Sequence, residues 1–330
     1  MYPDIPLIVS MLMTASGLWL LTWSANRFVD AAAELSVRFG MPQFVIGMVV
    51  IGFGTSAPEM AVSALSAASN HSDLSLGNAY GSNIYNIAVI LGAVALIKPI
   101  VTRSSTSFIS MLLLVGVSLL SGFLVWHGGQ FSRLDALVSL VAFGALLPIS
   151  CWLDKKASGG EASADAPIEA GKIRHPWLWT IAGLTLLVGS SHLLVWGAVD
   201  IALALKVSEL MIGLTIVAAG TSLPELASAI VSARKGQNDF VIGNIVGSNF
   251  FNTLAVVGVS GLVQPFSCNG GHVLTRDLWT MVALSASIAL FGCNLRNFRS
   301  AGSLGRAKGI LWLIAFAVYL AFLVIQERNG

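Results

Sequence analysis

Two glutamates sit where this chain has almost no other charge. Glu59 and Glu225 each fall well inside an apolar stretch, and within hydrocarbon an ionised carboxylate costs several kcal/mol unless it has a partner. They are the only carboxylates near the middle of such stretches, and no Lys or Arg in the same stretch lies close enough to pair with either. The natural partner is one the sequence does not encode, a bound cation. A protonated glutamate packed between helices, or an ion pair reaching in from another segment, is the alternative, and it would have to hold at both positions.

The residues around each glutamate carry oxygen. Gly54-Thr55-Ser56-Ala57-Pro58-Glu59 reappears as Gly220-Thr221-Ser222-Leu223-Pro224-Glu225. A proline inside a helix removes a donor and clashes with the carbonyl four residues back, so the carbonyls of Gly54 and Gly220 are expected to lose their usual partners. Glycine there lets the turn open, and a membrane interior tolerates irregular backbone only around a cavity or within protein. Thr55 and Glu59 are spaced i, i+4, as are Thr221 and Glu225, which predicts a hydroxyl and a carboxylate on one helix face. A second motif, Gly77-Asn78-Ala79-Tyr80-Gly81-Ser82-Asn83-Ile84-Tyr85-Asn86, returns as Gly243-Asn244-Ile245-Val246-Gly247-Ser248-Asn249-Phe250-Phe251-Asn252. Ser82 and Asn86, and Ser248 and Asn252, keep the i, i+4 spacing.

Carboxylate, hydroxyl, amide and main-chain oxygens suit a hard cation. Flexible shells of about 6–8 oxygens fit calcium and smaller subsets fit sodium, whereas magnesium dehydrates reluctantly and transition metals prefer His or Cys. Histidine is absent from both motifs. His192, inside a later apolar stretch, reads as a hydrogen bonder between helices, and the Gly77-xxx-Gly81 and Gly243-xxx-Gly247 spacings read as small-residue helix contacts. A hydrolase built on Ser56 or Ser222 would need a base and an oxyanion hole, and duplication would give it two identical nucleophiles. The reading is of a protein that is not an enzyme and carries no cofactor.

Such motifs must be held by membrane helices. A span needs about 20 apolar residues, which yields ten segments, roughly 5–30, 42–68, 74–97, 106–126, 134–153, 176–204, 208–233, 240–263, 277–295 and 308–325. The run from Ile5 continues past signal-peptide length and reads as the first span. The polar stretch Asp154–His175 reads as a flexible linker, dividing the chain into five-helix halves, 1–153 and 176–330. Every matched motif residue is offset by 166, as are Ile46-Gly47 and Ile212-Gly213, the mark of duplication. An odd number of spans per copy inserts the second copy upside down, giving an inverted-topology repeat of the kind transporters use. Lys and Arg concentrate in cytoplasmic loops. With the N-terminus outside, only Arg133, Lys206, Arg276 and Arg328 of the 18 fall outside, which predicts both termini outside and a cytoplasmic linker. Asp30 and Asp200, near the ends of the first and sixth spans, read as interfacial charges, with gating as the alternative.

Composition agrees. Of 330 residues 55% are hydrophobic and 10% charged, against about 25% charged in soluble domains, which excludes a water-soluble domain and disorder. Cys151, Cys268 and Cys293 are too far apart for a disulfide framework or zinc site. A net charge of +2 with no basic tract longer than a pair carries no nucleic-acid footprint. The partner is the lipid bilayer, and no obligate protein partner is evident. Short loops without a soluble regulatory domain fit a prokaryotic inner (plasma) membrane.

The paired motifs, once in each half of a ten-helix plan, resemble the two alpha-repeats of the calcium/cation antiporter superfamily, in its prokaryotic sodium/calcium exchanger branch. The resemblance implies an all-α membrane protein exchanging sodium for calcium by alternating access, with long first and sixth helices that slide across the rest. It further implies a central cluster in which Glu59 and Glu225 ligate calcium and Thr55, Ser56, Thr221, Ser222, Ser82 and Ser248 supply hydroxyls for sodium. Asn86 and Asn252 would line the middle, with main-chain oxygens at Gly52 and Ala218. Several members, potassium-dependent ones included, carry Asp where this chain has Asn252, so potassium-independent transport is expected. Two glutamates neutralise one calcium or two sodium ions, and a third sodium leaves the site at +1. The nearest rival is a calcium(cation)/proton antiporter, since two glutamates can release calcium by binding two protons. The adjacent Thr and Ser hydroxyls favour sodium, because protons need no such ligands.

Overall fold

The computed structural model describes residues 6–68, 72–102, 106–158, 173–206, 218–267, 273–292 and 302–329. Most of the 154–175 linker, the start of the seventh predicted span with Ile212-Gly213, and Cys268, Cys293, Arg103, Arg296 and Arg299 lie outside them. The described chain is predominantly helical. Among the described residues seven helices are long and apolar enough to cross a membrane, and an eighth candidate is the pair α2 (Gln43–Thr55) and α3 (Ala57–Ala68), bent by 44° at their junction.

The first helix, α1 (Leu7–Phe39), runs nine residues beyond the predicted 5–30 span. Apolarity fades after Val29, but Asp30-Ala31-Ala32-Ala33-Glu34 and the sequel favour helix, and Arg38 pairs with Glu34 one turn back at 3.0 Å. Gly40, at φ 58°, ends it, with the Met41 N–H donating to the Ser36 carbonyl at 2.9 Å. Left-handed backbone there suits glycine.

Equivalent elements then recur at the 166-residue offset. Helix α4 joins Ser72–Tyr85, a π turn at Asn86–Leu91 and Gly92–Ile97. Strand β1 (Ile100–Thr102), α5 (Thr106–Trp126), β2 (Gln130–Phe131) and α6 (Arg133–Ser158) complete the first half. In the second half α7 (Pro176–Ala204) corresponds to α1, and α8 (Ala218–Thr221) precedes α9 (Leu223–Arg234), the counterpart of α3 at the full offset. Helix α10 (Asn238–Val263), with its π turn at Phe251–Val256, matches α4. Strand β3 (Phe266–Ser267), α11 (Leu278–Gly292), β4 (Gly302–Leu304) and α12 (Arg306–Asn329) follow. The predicted ninth span is occupied by a π turn at Val273–Asp277 and α11 as far as Gly292, its last three positions lying outside the described residues.

The halves interlock. Strand β1 pairs antiparallel with β4, and β2 with β3, so each half lends a strand to the other. Helix α10 is the axis, its most apolar 18-residue stretch entirely buried and only its end at Leu262 and Val263 exposed. Helix α12 is its opposite: Ile310, Ile314, Val318, Phe322 and Ile325 stand exposed along one stripe, the surface a bilayer covers. Helices α1 and α7 pack along each other on small residues. A Cβ on Gly17 would sit 2.8 Å from the Leu194 backbone nitrogen, and one on Gly183 would sit 3.1 Å from the Phe28 Cα. Gly183 is the repeat mate of Gly17, and Leu194 of Phe28, so the contact is reciprocal.

Candidate cation-binding site

Both glutamates lie immediately after a break. The chain leaves the helix at Ser56 (φ −84°, ψ 4°) and at Ser222 (φ −91°, ψ 8°), two residues before each proline. Pro58 and Pro224 thereby sit in the first turn of α3 and α9, where a missing N–H costs nothing. This corrects two expectations. The opening is centred on the serines, and the threonine and glutamate of each motif do not share one continuous helix. The Gly54 and Gly220 carbonyls are also not left bare, because Gly54 accepts a main-chain N–H at the break and Gly220 accepts the Ser191 hydroxyl at 2.7 Å.

What the breaks achieve is a crossed pairing. Ser56 Oγ donates to Glu225 Oε1 at 3.1 Å, and Ser222 Oγ donates to Glu59 Oε1 at 3.4 Å. Each serine thus holds the carboxylate of the other half. Both glutamates are fully buried, and in each the second oxygen, Oε2, has no hydrogen-bond partner. A buried acceptor left alone is costly. Asn86 Oδ1 and both amide atoms of Asn252 are buried and unpartnered too. The π turn that begins with Asn86 packs against α9, which carries Glu225, and the turn holding Asn252 packs against α3, which carries Glu59. Single π turns inside helices are frequent at functional sites.

The main-chain oxygens are placed likewise. Gly52 ends the π turn Gly47–Gly52, and its carbonyl accepts from Ser248 Oγ at 3.2 Å, from Thr55 Oγ1 at 3.4 Å and from the Ser56 N–H at 3.2 Å. This turn crosses α10 at glycines. A Cβ on Gly52 would stand 2.9 Å from the Ser248 nitrogen, and one on Gly243 would stand 3.0 Å from the Met48 nitrogen. The small-residue reading therefore holds for Gly243 and Gly247 but is corrected for Gly77 and Gly81, where an added Cβ would meet nothing within 4 Å. Ala218 opens α8, Thr221 is half-buried beside Ser222, and Ser82 is buried one turn before Asn86. His192 is exposed, turned away from the neighbouring Ser191 that reaches Gly220. Asp30 pairs with Lys235 at 2.6 Å, and Asp200 accepts from Ser10 at 3.1 Å.

Four further motif asparagines, to which the sequence assigns no role, bind around the site. Asn78 Nδ2 donates to the Glu59 carbonyl at 3.1 Å, and Asn244 Nδ2 donates to the Glu225 carbonyl at 3.3 Å, anchoring each glutamate's backbone to the next helix. Asn249 Oδ1 accepts from Asn86 Nδ2 at 3.0 Å, and Asn83 Nδ2 donates to Thr253 Oγ1 at 2.6 Å. Their repetition at the 166 offset was the available signal.

Two buried carboxylates with serine, asparagine and carbonyl oxygens make a hard-cation donor set, and among the described residues no three His, Cys, Asp or Glu side chains converge on a metal position. The family model described as sodium/calcium exchanger protein matches residues 9–152 and 175–325. The chain belongs to that family. Members of the sodium/calcium exchanger family are transporters, so the chemistry is cation antiport across a membrane. Among its relatives, the inner membrane protein YrbG of Escherichia coli K12 is 37% identical over 314 residues, covering 93% of this chain and 94% of YrbG. The sodium/calcium exchanger MaX1 of Methanosarcina acetivorans is 26% identical over 361 residues, covering 96% and 98%. A solved structure of the sodium-calcium exchanger NCX_Mj superposes with a TM-score of 0.81 at 29% identity, covering 96% of this chain and 100% of that one.

Proposed function

We propose that this exchanger moves calcium against sodium, independently of potassium, through one central site formed by Glu59, Glu225, Ser56, Ser222, Thr55, Thr221, Ser82, Ser248, Asn86, Asn252 and the carbonyls of Gly52 and Ala218. The observation carrying this reading is the set of buried oxygens without partners, Oε2 of both glutamates and Oδ1 of Asn86 and Asn252. Divalent and monovalent hard cations satisfy such oxygens. NCX_Mj, whose structures address extracellular ion exchange and binding-site occlusion, was soaked with sodium together with calcium or strontium. Proton exchange is the rival, and the hydroxyls hydrogen-bonded to each carboxylate favour sodium over it. Calcium-45 uptake into everted vesicles, driven by an imposed sodium gradient or by a pH gradient, tests the choice; uptake driven by the pH gradient alone would replace sodium by protons.

In this reading the chain forms ten spans as two inverted five-helix units, 1–153 and 176–330. The 154–175 linker is cytoplasmic, both termini are external, and the protein sits in a prokaryotic inner membrane, as the name of YrbG supports. Alternating access is supported by an asymmetry between the halves. Helix α1 packs along α9, burying Val231 to 5% exposure, whereas its repeat mate Leu65 on α3 is 69% exposed. Two copies of one sequence plan thus stand in different surroundings, as a carrier open on one side requires.

Lys235, at the end of α9, holds α1 through Asp30 and through the Asn26 carbonyl at 3.2 Å. Half-exposed ion pairs contribute about 0–1 kcal/mol. Asp30→Asn is therefore expected to shift the access equilibrium by no more than about fivefold, measured as labelling of a cysteine placed at Leu65. A complete loss of transport would instead make Asp30 a gate.

The hydroxyls give a sharper test. Ser82→Ala with Ser248→Ala is expected to raise the sodium concentration for half-maximal exchange about tenfold while calcium affinity changes less, because calcium retains both carboxylates. An unchanged sodium activation curve would favour proton exchange.

A further inference from the structure

We propose that Asn83 and Asn249 are positioning residues, each committing the amide nitrogen of the other half's central asparagine, Asn252 or Asn86, so that its oxygen is left for the ion. This deepens, and rests on, the cation-site reading above. A primary amide presents an acceptor on one side and donors on the other, and only the oxygen can ligate a cation. Whatever fixes the nitrogen therefore decides whether the side chain is a ligand.

One half is already set. Asn86 Nδ2 donates to Asn249 Oδ1 at 3.0 Å, leaving Asn86 Oδ1 buried and unpartnered. Asn249 is held in turn, its carbonyl accepting from Thr253 Oγ1 at 2.7 Å and from Asn83 Nδ2 at 3.5 Å. The other half is prepared but open. Asn83 Nδ2 is committed to Thr253 Oγ1 at 2.6 Å and to Met281 Sδ at 3.1 Å, which makes Asn83 Oδ1 the free end. That oxygen is buried without a partner, and so is Asn252 Nδ2, the donor that the repeat assigns to it.

Asn83 and Asn86, like Asn249 and Asn252, are three residues apart and so lie on one helical face. The stretch Ser72–Tyr85 packs against the π turn of α10, and Asn238–Phe250 packs against the π turn of α4. Two complementary orphans in a repeat whose other copy has made the same bond point to a contact that closes when an ion draws the Asn252 oxygen. Closure would satisfy Asn83 Oδ1 and Asn252 Nδ2 together and give Asn252 the orientation that Asn86 already has.

A double-mutant cycle on calcium binding, read by isothermal titration of the purified protein in detergent, tests this. Asn249→Ala is expected to weaken calcium binding about tenfold, about 1.4 kcal/mol, in the otherwise unchanged protein, and to add no further loss in an Asn86→Ala background. Equal loss in both backgrounds, or none in the first, overturns the proposal, because a residue that merely packs costs the same whether or not Asn86 keeps its amide. Asn249→Asp retains an oxygen facing the Asn86 amide and adds negative charge, so calcium should bind at least as tightly as in the parent. A tenfold loss in that variant also overturns the assignment, even if the alanine variant fails to fold. The mirror cycle, Asn83→Ala with Asn252→Ala, is expected to show the same dependence, and additivity there removes Asn83 from the device. A parent protein that binds neither calcium nor sodium would instead refute the cation-site reading itself, and this is read before any variant is made.

Discussion

Glu59→Gln and Glu225→Gln are each expected to abolish calcium exchange while leaving a folded protein. In the proposed site each substitution removes one of the two buried carboxylates that would face a divalent ion. A unit charge pair about 4 Å apart at an effective dielectric near 20 is worth about 4 kcal/mol, so calcium affinity should fall at least about a thousandfold. The structure makes the two substitutions equivalent, since each carboxylate is held by the opposite serine and each has one free oxygen. Folding should survive because a neutral amide is cheaper to bury than a carboxylate. In calcium-free detergent either variant should melt at a higher temperature than the parent. Calcium-45 flux in liposomes with a parallel melting curve checks both halves of this expectation, and wild-type flux from a well-folded Glu225→Gln protein would remove the carboxylates from the site.

The origin of that equivalence is legible in the sequence itself. Two motifs repeated at a fixed offset place the same residue types at the same helical positions, and local chemistry singles out Glu59 and Glu225 because charge in an apolar stretch is expensive. The contacts that turn those residues into one site were not legible. Ser56 reaches Glu225 across 169 positions and Ser222 reaches Glu59 across 163, and no spacing rule within a helix anticipates a bond between copies. The break was misplaced for a related reason. Proline chemistry predicts which carbonyl loses its donor, but Ser191 from α7 restores a partner to Gly220, and the distortion is taken up at the serine. The length of α1 escaped because hydropathy reports where the bilayer ends, whereas Asp30–Phe39 continues the helix on propensity and an i, i+4 ion pair. The unequal surroundings of Leu65 and Val231 could not be read from the repeat, because an apolar residue at each position fits either environment and it is the packing of α1 on α9 that buries Val231.

Asn252→Asp is expected to give this exchanger a dependence on pH or potassium that the proposed function does not give the parent. Asn252 is fully buried in the π turn of α10, which packs against the helix carrying Glu59, and neither of its amide atoms has a partner. An aspartate there would be a third carboxylate in the cluster. Three like charges in one desolvated site cannot all remain ionised without a further cation, so the new side chain either takes up a proton or recruits an ion. In the first case calcium flux falls as external pH drops, because the proton competes with the incoming ion. In the second, flux rises with potassium up to saturation. Asn86→Asp, at the repeat-related position, is the internal control. It should behave similarly if both halves serve one site, though its amide is already tied to Asn249 and an aspartate would bring two acceptor oxygens together there, which favours the protonated outcome. Sodium-driven calcium flux in liposomes, with potassium replaced by choline at constant ionic strength, separates the cases. The parent should transport equally well in both buffers; a parent that stops without potassium would show that the amide at Asn252 suffices to support potassium coupling, and that the count of carboxylates does not set it.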